Sequence, residues 1–528
     1  MVILQNLSYL HPDKEPLFDN LNLVINQYDK IALIGNNGTG KSTLLKIIAG
    51  ELKASGGQLH VSVEPYYVPQ IFGQYNHLSI AQALRVDIKL RALQEILDGN
   101  PSEANLDLLQ DDWSVEERCI EALNHWQLTG LDLAQKMESL SGGQKTKVFL
   151  AGILIHQPAL VLMDEPSNHL DTAGRTLLYD FVQSAPVTQI VVSHDRKLLG
   201  LLNTICELSK GGITVYGGNY DFYTAQKQIE NEALNQDLKS KEKALRKARE
   251  KERESLERQQ KLDARGKKKQ EKAGVATIMM NTLRNNAEKS TSQIKHVHAE
   301  KISGISQELQ ALRTELPGMD KMKSSFDHSA LHKGKILCKA TGINFAWGNK
   351  RLWNNDLDFQ ITSGERIALK GLNGSGKTTL IKIILGTLSP PNGTIYRADN
   401  EAVYIDQDYT LINNGLKLYE QAERFNNTAL QEHEIKTRLH RFLFTKEDWG
   451  KSCSALSGGE RLRLILCCLS IASQAPDMIL LDEPTNNLDL VNIEILTAAI
   501  NEYQGTLLVV SHDEAFLEQV NIKKIIQL

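Results

Sequence analysis

Two segments place a lysine after spaced glycines and before a hydroxyl. The first reads Gly35, Asn36, Asn37, Gly38, Thr39, Gly40, Lys41 and Ser42, with Thr43 next. The second reads Gly371, Leu372, Asn373, Gly374, Ser375, Gly376, Lys377 and Thr378, with Thr379 next. Each follows a strand-like apolar run (31–34, 367–370) and opens a helix-like one (43–48, 379–385). In that setting backbone N–H groups and a helix N-terminus wrap phosphate oxygens, so the lysine would balance β- and γ-phosphate charge and Ser42 or Thr378 would ligate Mg²⁺.

Two apolar runs end in adjacent carboxylates, Asp164-Glu165 and Asp482-Glu483. Asp164 and Asp482 are placed to hold the metal, and Glu165 and Glu483 to polarise an attacking water. Phosphoryl transfer needs that positioning more than it needs covalent chemistry. His194 and His512 each follow a V-V-S run, 30 residues after the aspartate of their own half, which suits contact with a γ-phosphate. Ser141-Gly142-Gly143-Gln144 and Ser457-Gly458-Gly459-Glu460 precede those aspartates by 23 and 25 residues and lead into helical patterns. Taken alone, either would be an ordinary turn.

The repeat organises these motifs into two homologous α/β domains. Lys377 lies 336 residues after Lys41, Gln407 lies 337 after Gln70, and Ser457 lies 316 after Ser141. Asp482 and His512 follow their counterparts by 318. The first copy therefore holds 21 residues more between Gln70 and Ser141, an insertion within about 72–138. The expected layout is a first domain over 1–224, a linker over 225–330 and a second domain over 331–528. No proline occurs from Val187 to Leu316, and the linker is rich in Glu, Lys, Arg and Gln, as an uninterrupted helix would be. Ile302, Ile305, Leu309, Leu312 and Leu316 step by three and four, the seam of a coiled coil. With a weaker stripe through Leu234, Leu238 and Leu245, this predicts an antiparallel helical hairpin whose turn region lies near 265–290.

Composition narrows the class. Hydrophobic residues make up 41% and charged residues 23%, and no apolar run approaches the ~20 residues needed to cross a bilayer, so an integral membrane protein is not expected. The start M-V-I-L-Q-N-L carries no basic leader pattern, which places the expected compartment in the cytoplasm. Six scattered cysteines have no zinc or redox spacing and read as buried reduced thiols. The net charge of −4 argues against bulk nucleic-acid coating, yet 15 basic residues face 8 acids between Asp237 and Lys272. That stretch carries +7 and leaves −11 on the remainder. Such a stripe fits phosphates, although a solvated helix laced with i,i+4 ion pairs would read the same way. Near the expected turn, Lys267, Lys268 and Lys269 stand beside Val275, Ile278, Met279, Met280 and Leu283. The apolar cluster either packs the end of the hairpin or approaches a partner.

The S-G-G-Q and S-G-G-E segments, set between the glycine-rich loops and the Asp-Glu pairs, resemble the signature motifs of ATP-binding cassette proteins, and the resemblance covers both domains. It implies two ATP molecules sandwiched head-to-tail, one site pairing Lys41 with Ser457 and the other Lys377 with Ser141. Gln70 and Gln407 match the family's Q-loop, which touches Mg²⁺ and the attacking water; Asp171 and Asp489 match its D-loop. The adenine-stacking group is either His11 and Trp347, or Tyr9 and Phe345 two residues earlier. Tandem cassettes joined by a basic hairpin, with Y-G-G-N-Y-D-F-Y at 216–223, are similar to the ABC-F translation factors, whose arm falls where the 72–138 insertion lies. That likeness implies a monomeric ATPase whose ATP-bound form enters the ribosomal E site and points its hairpin at P-site tRNA and large-subunit rRNA around the peptidyl-transferase centre. The alternatives are an antibiotic-resistance factor of the same family, which protects the ribosome, and a soluble ATPase subunit of an exporter.

Overall fold

Strands covered on both faces need continuous apolar runs rather than alternation. Leu160–Asp164, Thr188–Val192, Met478–Asp482 and Thr506–Val510 are such runs, and every residue in them is buried. The computed structural model describes all residues except 12–14, 71, 210, 273–291, 294–295, 313–331, 333, 349, 428, 473 and 487. Its chain divides into two units, one joining Met1–Phe222 with Lys321–Leu528, the other being Tyr223–Asp320.

The first unit holds two α/β cassettes. In the first, a six-stranded sheet runs in the order Pro65–Val68, Leu160–Asp164, Thr188–Val192, Lys30–Ile34, Thr204–Ser209, Gly212–Tyr216, parallel except for the last strand. In the second, Ala402–Ile405, Met478–Asp482, Thr506–Val510, Arg366–Lys370 and Lys524–Gln527 form a fully parallel sheet in the matching order. Each cassette adds a three-stranded antiparallel sheet, centred on Val2–Leu10 and Ile336–Asn344 respectively. The helix Lys41–Ile48 is clamped between the two sheets of its cassette: Leu44, Leu45, Ile47 and Ile48 pack with Val2, Leu4 and Leu7 on one side and Ile31 and Leu33 on the other. Leu380, Ile381, Ile383 and Ile384 do the same in the second cassette, against Leu337, Ile343, Ile367 and Leu369.

Register decides which residues meet. Val192 pairs with both Leu33 and Asp164, so the glycine-rich loop, the acidic pair and the segment bearing His194 leave the sheet side by side. They do so at the carboxyl ends of parallel strands, where such sheets bind ligands. Ala368 pairs with Val509, and Asp482 with Val510, which repeats the arrangement. The extra residues of the first cassette form the helices Asp87–Leu97 and Glu103–Leu109, packed on each other between the short helix Ile80–Ala83 and Val115–His125. All six cysteines are buried free thiols.

The second unit is built on a helix of 53 residues, Tyr220–Lys272. It passes through Gly266 and ends beyond Arg265, where the sequence pattern starts the turn. A glycine costs a helix only about 1 kcal/mol relative to alanine, and the Lys, Gln and Glu around it favour helix. Residues 296–312 are helical too. Ile302, Ile305 and Leu312 are half-buried and Leu309 is 4% exposed, facing the stripe that includes Ala248 at 8%. An ion pair between Lys241 and Glu308 joins the two helices. Arg246–Glu250 and Arg253–Glu257 make i,i+4 pairs along the exposed face. These pairs consume part of the charge pattern, but their acids are already counted in the +7. The expected turn, with its apolar cluster, lies outside the described residues, as does Leu316; so do the side chains of Lys267, Lys268 and Lys269.

Because Leu309 is the most deeply buried residue of the returning helix, Leu309→Ala should cost about 2 kcal/mol there. Hydrogen exchange should show amides 296–312 exchanging roughly thirtyfold faster, with the cassette sheets unchanged.

Candidate functional site

The glycine-rich loops are shaped by their helix caps. Gly40 and Gly376 occupy the N-cap positions with φ of 97° and 91°. A Cβ on Gly40 would meet Leu17 at 2.8 Å, and one on Gly376 would meet Leu352 at 2.5 Å, so neither position accepts a side chain without movement. Lys41 Nζ folds back over its loop, donating to Gly35 O at 2.6 Å and Asn36 O at 3.1 Å. Lys377 Nζ donates to Gly371 O at 2.8 Å and Leu372 O at 3.4 Å. Each ammonium group is thus held by two carbonyls of its own loop.

The acidic pairs come next. Asp164 accepts hydrogen bonds from the Ser42 hydroxyl and, at 3.2 Å, from Tyr67. Asp482 Oδ2 accepts from Thr378 Oγ1 at 3.2 Å and from Tyr404 at 2.9 Å. Asp164 Oδ1 is buried with no hydrogen bond in the structure. Glu165 and Glu483 carry φ of 51° and 49°, a left-handed backbone that costs a non-glycine residue of order 1–3 kcal/mol and tends to occur at functional sites. Each is pinned by its own N–H, which donates to Val192 O or Val510 O at 2.8 Å. His194 Nε2 lies 3.3 Å from Glu165 Oε1, and His512 Nε2 lies 3.4 Å from Glu483 Oε1. In both pairs the Oε1 atom is buried without an aligned hydrogen bond.

Burial dominates the protonation of these groups. It pushes the Glu165 carboxyl up, the charge of Asp164 pushes it further, and Lys41 pulls it back. Glu483 is likewise raised by burial, with Arg175 and Lys377 opposing. Burial first, and the facing lysine second, lower His194 to about 3 and His512 to about 4, so both imidazoles are neutral near pH 7.

The signature serines are helix N-caps. Ser141 Oγ accepts from Gln144 N at 3.3 Å while the Gln144 side chain accepts from Ser141 N at 2.9 Å; Ser457 and Glu460 reproduce this box with Glu460 Oε2. Glu460 thus performs the capping that Gln144 performs, with Lys451 Nζ 2.8 Å from its other oxygen. These helix ends face the opposite cassette. A cavity of about 750 Å³ is lined by Gly38, Lys41, Ser42, Gln70 and Glu165 from the first cassette and by Ser457 from the second. A smaller one of about 230 Å³ is lined by Asn373, Gly374, Gln407, Glu483 and His512 from the second cassette and by Ser141, Gly142 and Gly143 from the first. Lys377 Nζ bonds Nε2 of His512, which lines this second cavity, at 3.2 Å.

Hydrogen bonds across the cassettes fix the pairing. Asp489 Oδ2 accepts from Asn37 N at 3.0 Å, and Asn373 Nδ2 donates to His169 O at 2.8 Å. Asp171 caps the helix Thr172–Ser184 in its own cassette. Of the aromatic candidates, His11 lines the larger cavity, whereas Tyr9 packs on the core beside Phe18. His11 lies just past the end of Val2–Leu10, yet its ring meets that of Tyr9 edge-on with 6.0 Å between centroids, so the two share a face as alternation expects. Phe345 packs on the second core, and the side chain of Trp347 lies outside the described residues.

Comparison with known proteins agrees with this geometry. A family model described as ABC transporter matches residues 18–168 and 354–486. The putative ATP-binding protein YdiF of Bacillus subtilis (strain 168) is 32% identical, over 96% of this chain and 77% of that one. The chain belongs to the ABC-F family. Its cassettes are ATP-binding cassettes, which hydrolyse ATP. The ribosome protection protein VmlR of the same organism is 29% identical, over 100% of this chain and 86% of that one. The archaeal ribosome recycling factor aABCE1, solved in complex with the stalk protein aP1, covers 99% of this chain and 87% of its own with a TM-score of 0.61. At 20% identity that likeness establishes the fold alone. No described helix of this ABC-F chain is long and apolar enough to cross a membrane.

Tyr67, Tyr404 and Arg175 belong to the sites but escape the motif reading. The tyrosines had a signal: each stands three residues before its glutamine, Gln70 or Gln407. A Cβ on Gly143 would meet His169 O at 2.6 Å, the same carbonyl that Asn373 bonds across the interface. Gly143→Ala should therefore lower steady-state ATP turnover by about tenfold or more while leaving the melting temperature within a few degrees. A coupled ATPase assay and differential scanning fluorimetry check both parts.

Proposed function

We propose that this chain is a cytoplasmic, monomeric ATPase that closes on two ATP molecules, binds the ribosome in that state and leaves after hydrolysis. The observation that carries the reading is the pairing of two head-to-tail nucleotide sites with a separate helical unit bearing +7 along Asp237–Lys272. An ATP-gated body supplies a switch, and the basic helix supplies a probe for nucleic-acid phosphates. The name of VmlR, a relative along the whole chain, supports the ribosome as the place where the probe acts. In this reading the cassettes occupy the E site and the hairpin points toward P-site tRNA, large-subunit rRNA and the peptidyl-transferase centre.

Within each site, residues 35–43 or 371–379 cradle the phosphates, with Lys41 or Lys377 turning from its loop carbonyls to the β- and γ-oxygens. The signature residues 141–144 or 457–460 close the site from the opposite cassette, presenting a helix N-terminus to the γ-phosphate. Ser42, Asp164 and Gln70, or Thr378, Asp482 and Gln407, offer only oxygen donors, the ligand type that Mg²⁺ prefers. The free Oδ1 of Asp164 and the hydroxyl contacts of both aspartates fit that ion. Bound there with phosphate oxygens and water, Mg²⁺ would neutralise charge developing on the transferred group. Glu165 and Glu483 orient and polarise the attacking water, and neutral His194 and His512 hold the γ-phosphate side of the site.

The double variant Glu165→Gln, Glu483→Gln tests this. It should bind ATP, stop turnover, co-sediment with ribosomes and block translation in a cell-free system. Pelleting with unimpaired turnover would overturn the assignment of the two glutamates, and loss of turnover without ribosome binding would overturn the ribosomal role. The likeness to VmlR favours a second reading, protection of the ribosome from an antibiotic. It predicts raised drug tolerance in cells expressing the wild-type chain, lost on replacing Ile278–Met280 with alanines, and a susceptibility panel reads that directly.

A further inference from the structure

After their D-loops the two cassettes differ at a place that faces an active site. Four residues beyond Asp171 stands Arg175; four beyond Asp489 stands Ile493. Ile493 is 2% exposed within the core of its own cassette. Arg175 is equally removed from solvent, at 7% exposed, but it points across the interface. Its Nε donates to Leu170 O at 3.3 Å, and its Nη1 lies 3.4 Å from both Asp195 Oδ2 and His512 O. It lines the smaller cavity with Ser141, Asn373, Glu483 and His512.

One guanidinium thus joins the residue after His194 in the first cassette to the backbone of His512 in the second. Asp195 is itself held, its Oδ2 accepting from Tyr179 at 2.6 Å, so the anchor is rigid. Thr172, on the same helix as Arg175, places its hydroxyl 3.4 Å from His512 Nδ1. His512 is therefore gripped from the opposite cassette at both its carbonyl and its ring. At the other site Ile493 has no polar group to offer His194. A planar donor fork holds geometry through several bonds at once, which an aliphatic side chain cannot do.

We propose that Arg175 is a positioning residue acting in trans on the Lys377–Glu483–His512 site, so that hydrolysis there requires the paired cassettes while the Lys41–Glu165–His194 site works without this link. The two ATP sites are then unequal by construction. This rests on the reading of Glu165 and Glu483 given above.

The test isolates each site in the full-length chain. In a Glu165→Gln background only the Lys377 site hydrolyses, and in a Glu483→Gln background only the Lys41 site does. Single-turnover hydrolysis of bound ATP is measured in each, with and without Arg175→Ile, which copies the residue of the other half. The expected result is a fall of about tenfold in the saturating rate in the first background and less than twofold in the second, with the half-saturating ATP concentration moving less than twofold in both. Arg175→Lys, which keeps a buried donor and its charge, should recover the first-background rate to within about threefold of the parent. It also covers the case in which the isoleucine variant fails to fold. Equal falls in both backgrounds, no fall in either, or a lysine variant that folds and is as slow as isoleucine would overturn the proposal. Persistent hydrolysis in the Glu165→Gln, Glu483→Gln double variant would instead overturn the site assignment beneath it.

Discussion

A triphosphate carries more charge than one loop can neutralise, and the structure is organised around meeting it from two sides. The glycine-rich loop and its lysine come from one cassette, and the capped N-terminus of the signature helix comes from the other. Neither half contains a whole site. The head-to-tail docking follows from that incompleteness, and so do the contacts that tie each loop to the opposite D-loop region, Asn37 to Asp489 and Asn373 to His169. The repeat in the sequence is the genetic form of a two-sided electrostatic requirement.

Strain and burial are concentrated where the chemistry is expected. Glu165 and Glu483 hold a left-handed backbone against its intrinsic cost, and each is kept there by a hydrogen bond to the last residue of the neighbouring strand. Each carboxyl lies 3.3 or 3.4 Å from the histidine of its own cassette. The same apolar surroundings that raise both carboxyls keep both imidazoles neutral, so each Glu–His pair is a close polar contact rather than a full ion pair.

Much of this was legible in the residues because phosphate binding constrains backbone, and backbone constraints leave glycines at fixed spacing. The glycine-rich loops, the acidic pairs and the parallel sheets around them all carry that mark. The extent of the linker helix was less so: Gly266 reads as a turn, but tertiary and neighbouring propensities outweigh one glycine, and the helix runs to Lys272. His11 and Tyr9 show a second limit: residues two apart share a strand face, and their rings meet 6.0 Å apart, so alternation alone does not choose between them. Arg175 was invisible for a different reason. A motif search looks for what two copies share, and Arg175 matters because the copies differ there.

That difference bears on how a symmetric machine could act with direction. Two identical sites would hydrolyse in random order, and the basic unit attached to them would receive no ordered signal. A single guanidinium spanning Asp195 and His512 breaks the equivalence without altering any phosphate-binding residue. It binds Asp195, the residue after His194, in one cassette while touching His512 in the other, so it ties the two histidine segments together across the interface. Arg196, the next residue on that path, hydrogen-bonds Gln519 of the second cassette at 2.8 Å and the hydroxyl of Tyr220, where the long helix begins. Asp195, which Arg175 holds, is thus the covalent neighbour of the residue that bonds the first residue of the long helix.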